Sequence, residues 1–276
     1  MTGNRVIFHA LHPYYNLCDW KYAEAIPMMR ATEFEFKHRF WFLAGIFWVG
    51  LACYRFDHAN AAVALAGLIP SSFVHGSSLA VFPQSLHLIF GFGGLLAVLA
   101  AAIRTWAAAY LHSSIVHDQA LHSEGLVADG PFRWMRNPLY DGGILLAAGM
   151  GLLASRIGWF VITFGWLLFY YRLVLREEAA LTESQGESFR AYCAAVPRFL
   201  PALRPRVKSS GALSQWGQAF GGEMFMWGFA ASVVAFAITL QIKTFYIVLG
   251  ASFICYMLYW IARRKPASQE PPARAQ

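Results

Sequence analysis

Residues 139–175 read LYDGGILLAAGMGLLASRIGWFVITFGWLLFYYRLVL, and this stretch decides the fold. It contains two apolar runs, Leu139–Ala154 and Ile157–Leu175, separated only by Ser155-Arg156. Each run approaches the roughly 20 residues that an α-helix needs to cross a bilayer. Because the polar break leaves room only for a tight turn, the stretch predicts a transmembrane helical hairpin.

The composition extends this interpretation to the whole chain of 276 residues. The chain is 58% hydrophobic and 13% charged, whereas soluble globular domains carry about 25% charged residues. These values exclude an ordinary soluble enzyme and a disordered chain. The basic residues behind the net charge of +7 lie between apolar runs. The charge therefore indicates membrane topology, and no nucleic-acid partner is expected.

Further apolar runs lie on both sides of the hairpin. Four more spans are predicted: Phe40–Phe56, Leu86–Leu111, Met224–Leu240 and Thr244–Ala262. A fifth run, Ala59–Phe82, is interrupted by Pro-Ser-Ser and Gly-Ser-Ser. It indicates a broken or re-entrant segment in an outer loop, with a seventh span as the alternative. The predicted fold class is thus all-α, a polytopic transmembrane helical bundle of about six spans.

The distribution of basic residues predicts the orientation of this bundle. The segments 112–138 and 176–208 and the residues 263–265 of the C-terminal tail together contain eleven lysines and arginines, whereas the outer turns keep only Arg55, Arg156 and Lys243. Cytoplasmic loops carry the excess of lysine and arginine, so both segments and both chain ends are expected in the cytosol. The hairpin would return the two segments to one place, where a site could draw a soluble ligand from the cytosol.

The first of these segments contains Leu126-Val127-x-x-Gly130-Pro131-Phe132 and Arg136-Asn137-Pro138-Leu139-Tyr140-x-Gly142. Gly-Pro indicates a turn, and proline suits a first helical turn with asparagine before it as a cap. A purely structural interpretation is therefore open: Asn137-Pro138 caps a helix, and Arg133 and Arg136 anchor it at the membrane interface.

The second segment contains Glu177-Glu178-x-x-Leu181, Tyr192 and Val196-Pro197-Arg198. The helix from Ile157 is expected to pass the membrane surface and to end near Gly186, since glycine commonly follows a helix end. Carboxylates beside an apolar span are costly unless they are paired, so two of them favour a binding role. The alternative is that Arg176 and Glu178 are solvated charges at the helix exit.

Together with Arg104-x-Trp106, these motifs resemble the superfamily of isoprenylcysteine carboxyl methyltransferases and phospholipid methyltransferases, which are integral-membrane enzymes. The resemblance covers residues 104–208. It implies methyl transfer from S-adenosylmethionine, bound in a pocket on the cytoplasmic face, to a lipid-like or small apolar acceptor in the lipid bilayer. Among the acceptors, the resemblance favours an isoprenylcysteine carboxylate, with a small thiol or a phospholipid amine as alternatives.

Carried over by position, the resemblance implies the following cofactor contacts: His117, Glu124, Gly125, Leu126, Val127, Phe132, Asn137, Pro138, Leu139, Tyr140 and Glu177. Glu177 would hold the polar end of the cofactor, and Glu178, about 100° away around the helix, would matter much less. Asn137 and Glu124 stand where the family's prenylcysteine enzymes usually have histidine.

The catalytic candidates are Arg172 and Arg176, one helical turn apart on one face. A carboxylate or thiolate acceptor needs no strong base, only a cation that places it, and an arginine can supply that charge. No metal is expected, because Cys18, Cys53, Cys193 and Cys255 lack metal-site spacing.

The expected organisation has four parts: an N-terminal segment with the first span and the broken segment (1–100), a methyltransferase-like core (101–208), two added C-terminal spans (209–262) and a disordered tail (263–276). Two other functions are open, a membrane reductase of the sterol-reductase type that uses NADPH and a non-catalytic transporter or assembly factor. The Glu-Glu-x-x-Leu helix exit disfavours the reductase. Arg104 is the only mid-span charge, which disfavours a transport route.

Overall fold

The computed structural model describes residues 29–68, 78–118 and 128–263, with side chains except those of 78–82 and 112–118. Five predicted cofactor contacts, at His117 and residues 124–127, therefore lie outside the described side chains. Cys18 and most of the predicted tail, residues 264–276, also lie outside the described residues.

Within the described ranges the regular structure is helical, which confirms the all-α class. The α-helices are α1 (Glu33–Lys37), α2 (Arg39–Ala52), α3 (Ala61–Ala66), α4 (Ser78–Asp118), α5 (Pro138–Gly151), α6 (Arg156–Gln185), α7 (Glu187–Ala195), α8 (Trp216–Gly222), α9 (Met224–Thr239) and α10 (Ile242–Arg263). Two 3₁₀ turns, Cys53–Arg55 and Gly130–Arg133, lie between them.

The hairpin predicted from residues 139–175 is present as α5 and α6. The Ser155 hydroxyl caps α6 by accepting a hydrogen bond from the Gly158 amide at 3.1 Å. At its other end α6 stops at Gly186, whose φ of 56° lies in the left-handed region. Glycine adopts that region without steric cost, so the predicted helix end is confirmed.

Three helical segments are long and apolar enough to cross a membrane: Pro83–Leu111 within α4, α6 and α10. The pair α8 and α9, bent by 62° at Glu223, gives a fourth if it forms one broken span. Helices α2 and α5 have 14 residues each, fewer than the roughly 20 of a full span. The structure thus supports an integral-membrane bundle, and the six-span count remains a prediction.

One end of the bundle is closed by the turns predicted to lie outside. The carboxylate of Asp57 accepts a hydrogen bond from the Arg156 side chain at 2.8 Å and from the Ile157 amide at 3.0 Å. These bonds lower the pKa of Asp57 to about 2. The Asn60 amide donates to the carbonyls of Leu152 and Ala154, so the broken segment is tied to the hairpin turn.

Helices α4 and α5 cross at two glycines. A Cβ built on Gly149 would lie 2.5 Å from the carbonyl oxygen of Gly93, and a Cβ on Gly93 would lie 3.0 Å from that of Gly149. Small residues at such crossings let helix backbones approach closely in a membrane. The crossing fixes the depth of α5 against α4 and therefore the position of its first turn.

Gly149→Ala should lower the thermal stability of the protein in detergent, because the added methyl group forces α4 and α5 apart. Overpacking of this kind costs about 1–3 kcal/mol. Gly91→Ala is the matched control on α4, since its Cβ would meet no atom within 4 Å. It should leave the melting temperature unchanged or raise it. Equal melting temperatures for both variants would contradict a tight crossing at Gly149.

Candidate active site

The two polar segments lie side by side at the other end of the bundle, as the hairpin predicts. Residues 133–136 run along residues 197–206 through three backbone hydrogen bonds of 2.8–2.9 Å: Arg136 N to Pro197 O, Ala202 N to Trp134 O, and Arg206 N to Arg133 O. The Tyr192 hydroxyl adds a bond to the Phe132 carbonyl at 2.7 Å. The predicted cofactor contact Phe132 is thereby fixed by the second segment.

Asp129 holds the residues that directly follow the second segment. Its side chain is buried and accepts hydrogen bonds from the backbone amides of Ser210 and Ala212 at 3.0–3.1 Å, and from the hydroxyls of Ser209 and Ser210. Burial raises the pKa of Asp129, but these hydrogen bonds outweigh it, and the net shift is downward. A charged carboxylate thus ties residues 209–212 to the turn that begins at Gly130.

Glu178 is the centre of the ion pairs at this site. It is only 8% exposed. Its carboxylate lies 3.2 Å from Nε of Arg136 and 2.8 Å from Nη2 of Arg198. The interpretation of Glu178 as a solvated charge is therefore wrong. It turns inward because the two arginines, which come from the neighbouring segments, offer the charge that a buried carboxylate requires.

Asn137 occupies the N-cap position of α5, but its side chain makes no capping bond. Its Nδ2 instead donates to Oε1 of Glu178 and to the carbonyl of Arg198, each at 3.2 Å. The expected cap is thus replaced by a bridge to the second segment. Pro138 follows as the first helical residue and is fully buried.

Glu177 lies beside Tyr140, as the hairpin geometry predicts. The Tyr140 hydroxyl donates to Oε1 of Glu177 at 2.7 Å, and the Tyr140 ring packs edge-on against Tyr170. Among the described residues, only Tyr140 donates a hydrogen bond to Glu177, which is half-buried. The Glu177 carboxylate therefore keeps acceptor capacity that the protein itself does not use.

Arg172 and Arg176 meet the N-terminal segment. Nη2 of Arg172 donates to both oxygens of Glu35, at 2.9 and 2.7 Å. Nη1 of Arg176 donates to the carbonyl of Ala31 at 3.2 Å, and its guanidinium lies over the Phe36 ring. The structure thus brings both arginines against α1 and the residues before it. The sequence motif Thr32-x-x-Glu35, a capping box in the structure, signals this helix start.

Leu139 is held by a residue from the preceding helix. Nη1 of Arg104 donates to the Leu139 carbonyl at 3.0 Å, while Nε and Nη2 of Arg104 reach Glu223. Glu223 is a site residue that the sequence reasoning missed. A usable signal existed, because it is the only Asp or Glu between residues 209 and 263 and Arg104 needs a counter-charge.

Comparison with known protein families agrees with this geometry. Residues 88–188 match the family model described as phospholipid methyltransferase. This part of the chain is similar to the phospholipid methyltransferase family. The match confirms the predicted superfamily and supports a membrane methyltransferase. No curated protein and no solved structure matches the chain.

The matched segment includes Arg104, the α5–α6 hairpin and the Glu177-Glu178 pair. Three residues that form ion pairs with its charged groups lie outside the matched residues: Arg198, Glu223 and Glu35. The ion pairs around the candidate site therefore extend beyond the matched segment.

Glu178→Gln should destabilise the protein, because the buried Arg136 and the partly buried Arg198 would lose their carboxylate. Removing one partner of a buried ion pair costs about 3–5 kcal/mol, which thermal unfolding in detergent would detect. Glu183→Gln, an exposed position on the same helix, is the control and should melt like the wild type. If both variants melt like the wild type, Glu178 does not hold the two segments together.

Proposed function

We propose that the protein is an S-adenosylmethionine-dependent integral-membrane methyltransferase that acts on a lipid-like acceptor, with the cofactor bound beside Asn137, Tyr140 and Glu177. The observation that carries this proposal is the half-buried Glu177 carboxylate with unused acceptor capacity, inside the segment that matches the phospholipid methyltransferase family. The arginine-rich loops support a site on the cytoplasmic face.

The described residues fit a cofactor of this chemistry. S-adenosylmethionine carries an ammonium group and ribose hydroxyls, which are hydrogen-bond donors, and an ionised carboxylate accepts through both oxygens. Arg136 and Arg198 are both paired with Glu178, so these cations do not neutralise Glu177. Glu178 thereby leaves Glu177 available for a donor from the cofactor.

The residues of the chain would bind, orient and shield the reactants. The cofactor supplies an electrophilic methyl group, and the transfer is an in-line displacement whose rate depends chiefly on alignment. Tyr140, held between Glu177 and Tyr170, would form one wall of the pocket. The bridge from Asn137 to Glu178 keeps the start of α5 against the second segment.

Glu177→Gln should weaken S-adenosylmethionine binding about ten- to a hundredfold, because a charge-assisted hydrogen bond contributes roughly 1.5–3 kcal/mol. Isothermal calorimetry of the detergent-purified protein measures this affinity, and the melting temperature should stay near that of the wild type. Glu183→Gln should bind like the wild type.

Titration with NADPH in the same buffer tests the reductase alternative, and we expect no binding. Binding of NADPH without binding of S-adenosylmethionine by the wild type would contradict the proposal. Wild-type affinity in Glu177→Gln would show that the cofactor does not contact this carboxylate.

The acceptor would be anchored by Arg176. Arg172 is already paired with Glu35 at 2.7 Å, whereas no described carboxylate lies within 4 Å of the Arg176 guanidinium. An unneutralised cation beside the site suits an acceptor with an anionic group, as in an isoprenylcysteine carboxylate or a phospholipid phosphate. Arg172 would then act by holding α1 in place.

Arg176→Ala should raise the Michaelis constant for a farnesylcysteine carboxylate about tenfold or more, because one charge-assisted bond is lost, and should leave cofactor affinity nearly unchanged. Labelled S-adenosylmethionine with farnesylcysteine, phosphatidylethanolamine vesicles or methanethiol identifies the acceptor. Arg190→Ala, which removes an exposed cation paired with Glu187, is the control. Unchanged kinetics in Arg176→Ala would rule out Arg176 as the anchor of the acceptor, and turnover with methanethiol alone would rule out a lipid-like acceptor.

A further inference from the structure

We propose that Glu223, in the helices that follow the matched segment, is a positioning residue for the turn Asn137–Tyr140 and acts through Arg104. The inference rests on the proposed function in so far as this turn binds the cofactor. Glu223 itself contacts the Arg104 side chain and not the turn.

The geometry of the Glu223–Arg104 pair fixes the plane of the guanidinium. Nε of Arg104 donates to Oε2 of Glu223 at 2.7 Å, and Nη2 donates to Oε1 at 3.0 Å. Two parallel bonds of this kind give a bidentate pair, which is directional as well as strong. The Arg104 and Glu223 side chains are 19% and 9% exposed, so little water competes for either group.

The third nitrogen of the same guanidinium reaches the start of α5. With Nε and Nη2 held by Glu223, Nη1 points to the Leu139 carbonyl and donates at 3.0 Å. Leu139 lies between Pro138 and Tyr140, and the Tyr140 hydroxyl carries the bond to Glu177. A rotation of the guanidinium would therefore release the carbonyl next to the residue that contacts Glu177.

Close approach of Arg104 to α5 depends on Gly142. A Cβ at this position would lie 2.5 Å from Cγ of Arg104 and 2.9 Å from the Ala100 carbonyl. The glycine of the Arg136–Gly142 motif thus makes room for the arginine that holds Leu139. The contact between α4 and α5 therefore depends on Arg104 in one helix and on Gly142 in the other.

Glu223 is placed for this role by the bend between α8 and α9. It occupies the N-cap position of α9, yet its side chain makes no capping bond and is used by Arg104 instead. The start of α8 is fixed to α4 by a hydrogen bond from the Gln215 amide to the Ala109 carbonyl at 2.9 Å. The C-terminal helices α8 and α9 therefore place the Glu223 carboxylate against Arg104 of α4.

Glu223→Gln tests the inference, with Asp57→Asn as the matched control, since the Asp57–Arg156 pair closes the opposite end of the bundle. Hydrogen–deuterium exchange of the cofactor-free protein should become faster in a peptide that covers residues 138–143 in Glu223→Gln only. The affinity for S-adenosylmethionine should fall about tenfold. Changes of this size are typical when the mutated residue influences a binding site without touching its ligand.

The charge swap Arg104→Glu with Glu223→Arg separates positioning from simple stability. It restores the ion pair, but a glutamate at position 104 cannot donate to the Leu139 carbonyl. The melting temperature should recover while exchange at 138–143 stays fast and cofactor affinity stays low. Recovery of all three properties would overturn the inference, because Glu223 would then only stabilise the bundle.

The two proposals can fail separately. If the wild type binds no S-adenosylmethionine, the proposed function fails, and the exchange of residues 138–143 still decides the role of Glu223. If the swap does not fold, hydrogen exchange at residues 138–143 is compared between Glu223→Gln and Asp57→Asn. The comparison is made where both variants have lost the same amount of thermal stability. Equal exchange in the two single variants would overturn the inference.

Discussion

The pairing of Glu178 with Arg136 and Arg198 is the interaction on which the arrangement of the site depends. One carboxylate at the exit of α6 receives a guanidinium from the start of α5 and another from the segment after α7. Buried ion pairs add little stability compared with apolar packing, but they are costly to break, so they favour one arrangement over others. Here the arrangement places Tyr140 against Glu177 and leaves that second carboxylate with unused acceptor capacity.

Two further ion pairs cross the borders of the segment 88–188, which matches the family model. Glu35 from the N-terminal side neutralises Arg172, and Glu223 from the C-terminal side neutralises Arg104. Arginine within or beside an apolar helix is expensive without a partner. The segment in isolation would therefore lack the carboxylates of Glu35 and Glu223, and the flanking helices complete its electrostatics as well as its packing.

Much of the fold could be predicted from sequence because it depends on local properties. The hairpin follows from the lengths of two apolar runs, and the end of α6 follows from Gly186. The inward turn of Glu178 could not be predicted, since neighbouring residues on a helix differ by about 100° and the choice depends on Arg198, 20 residues further along the chain. The missing cap at Asn137 has the same origin, because its side chain turns to donate to Glu178 and to the Arg198 carbonyl.

The charges at the exit of α6 also suit the proposed reaction. Glu177 faces Tyr140, whereas Arg176, the preceding residue, contacts Ala31 and Phe36 of the N-terminal segment. A cationic cofactor and an anionic acceptor would thus meet opposite charges on different faces of one helix. Transfer of a methyl group from a sulfonium to a carboxylate cancels both charges, and opposite charges attract more strongly where water is excluded. A site at the edge of an apolar bundle therefore favours the approach of these two reactants and a transition state in which their charges are already reduced.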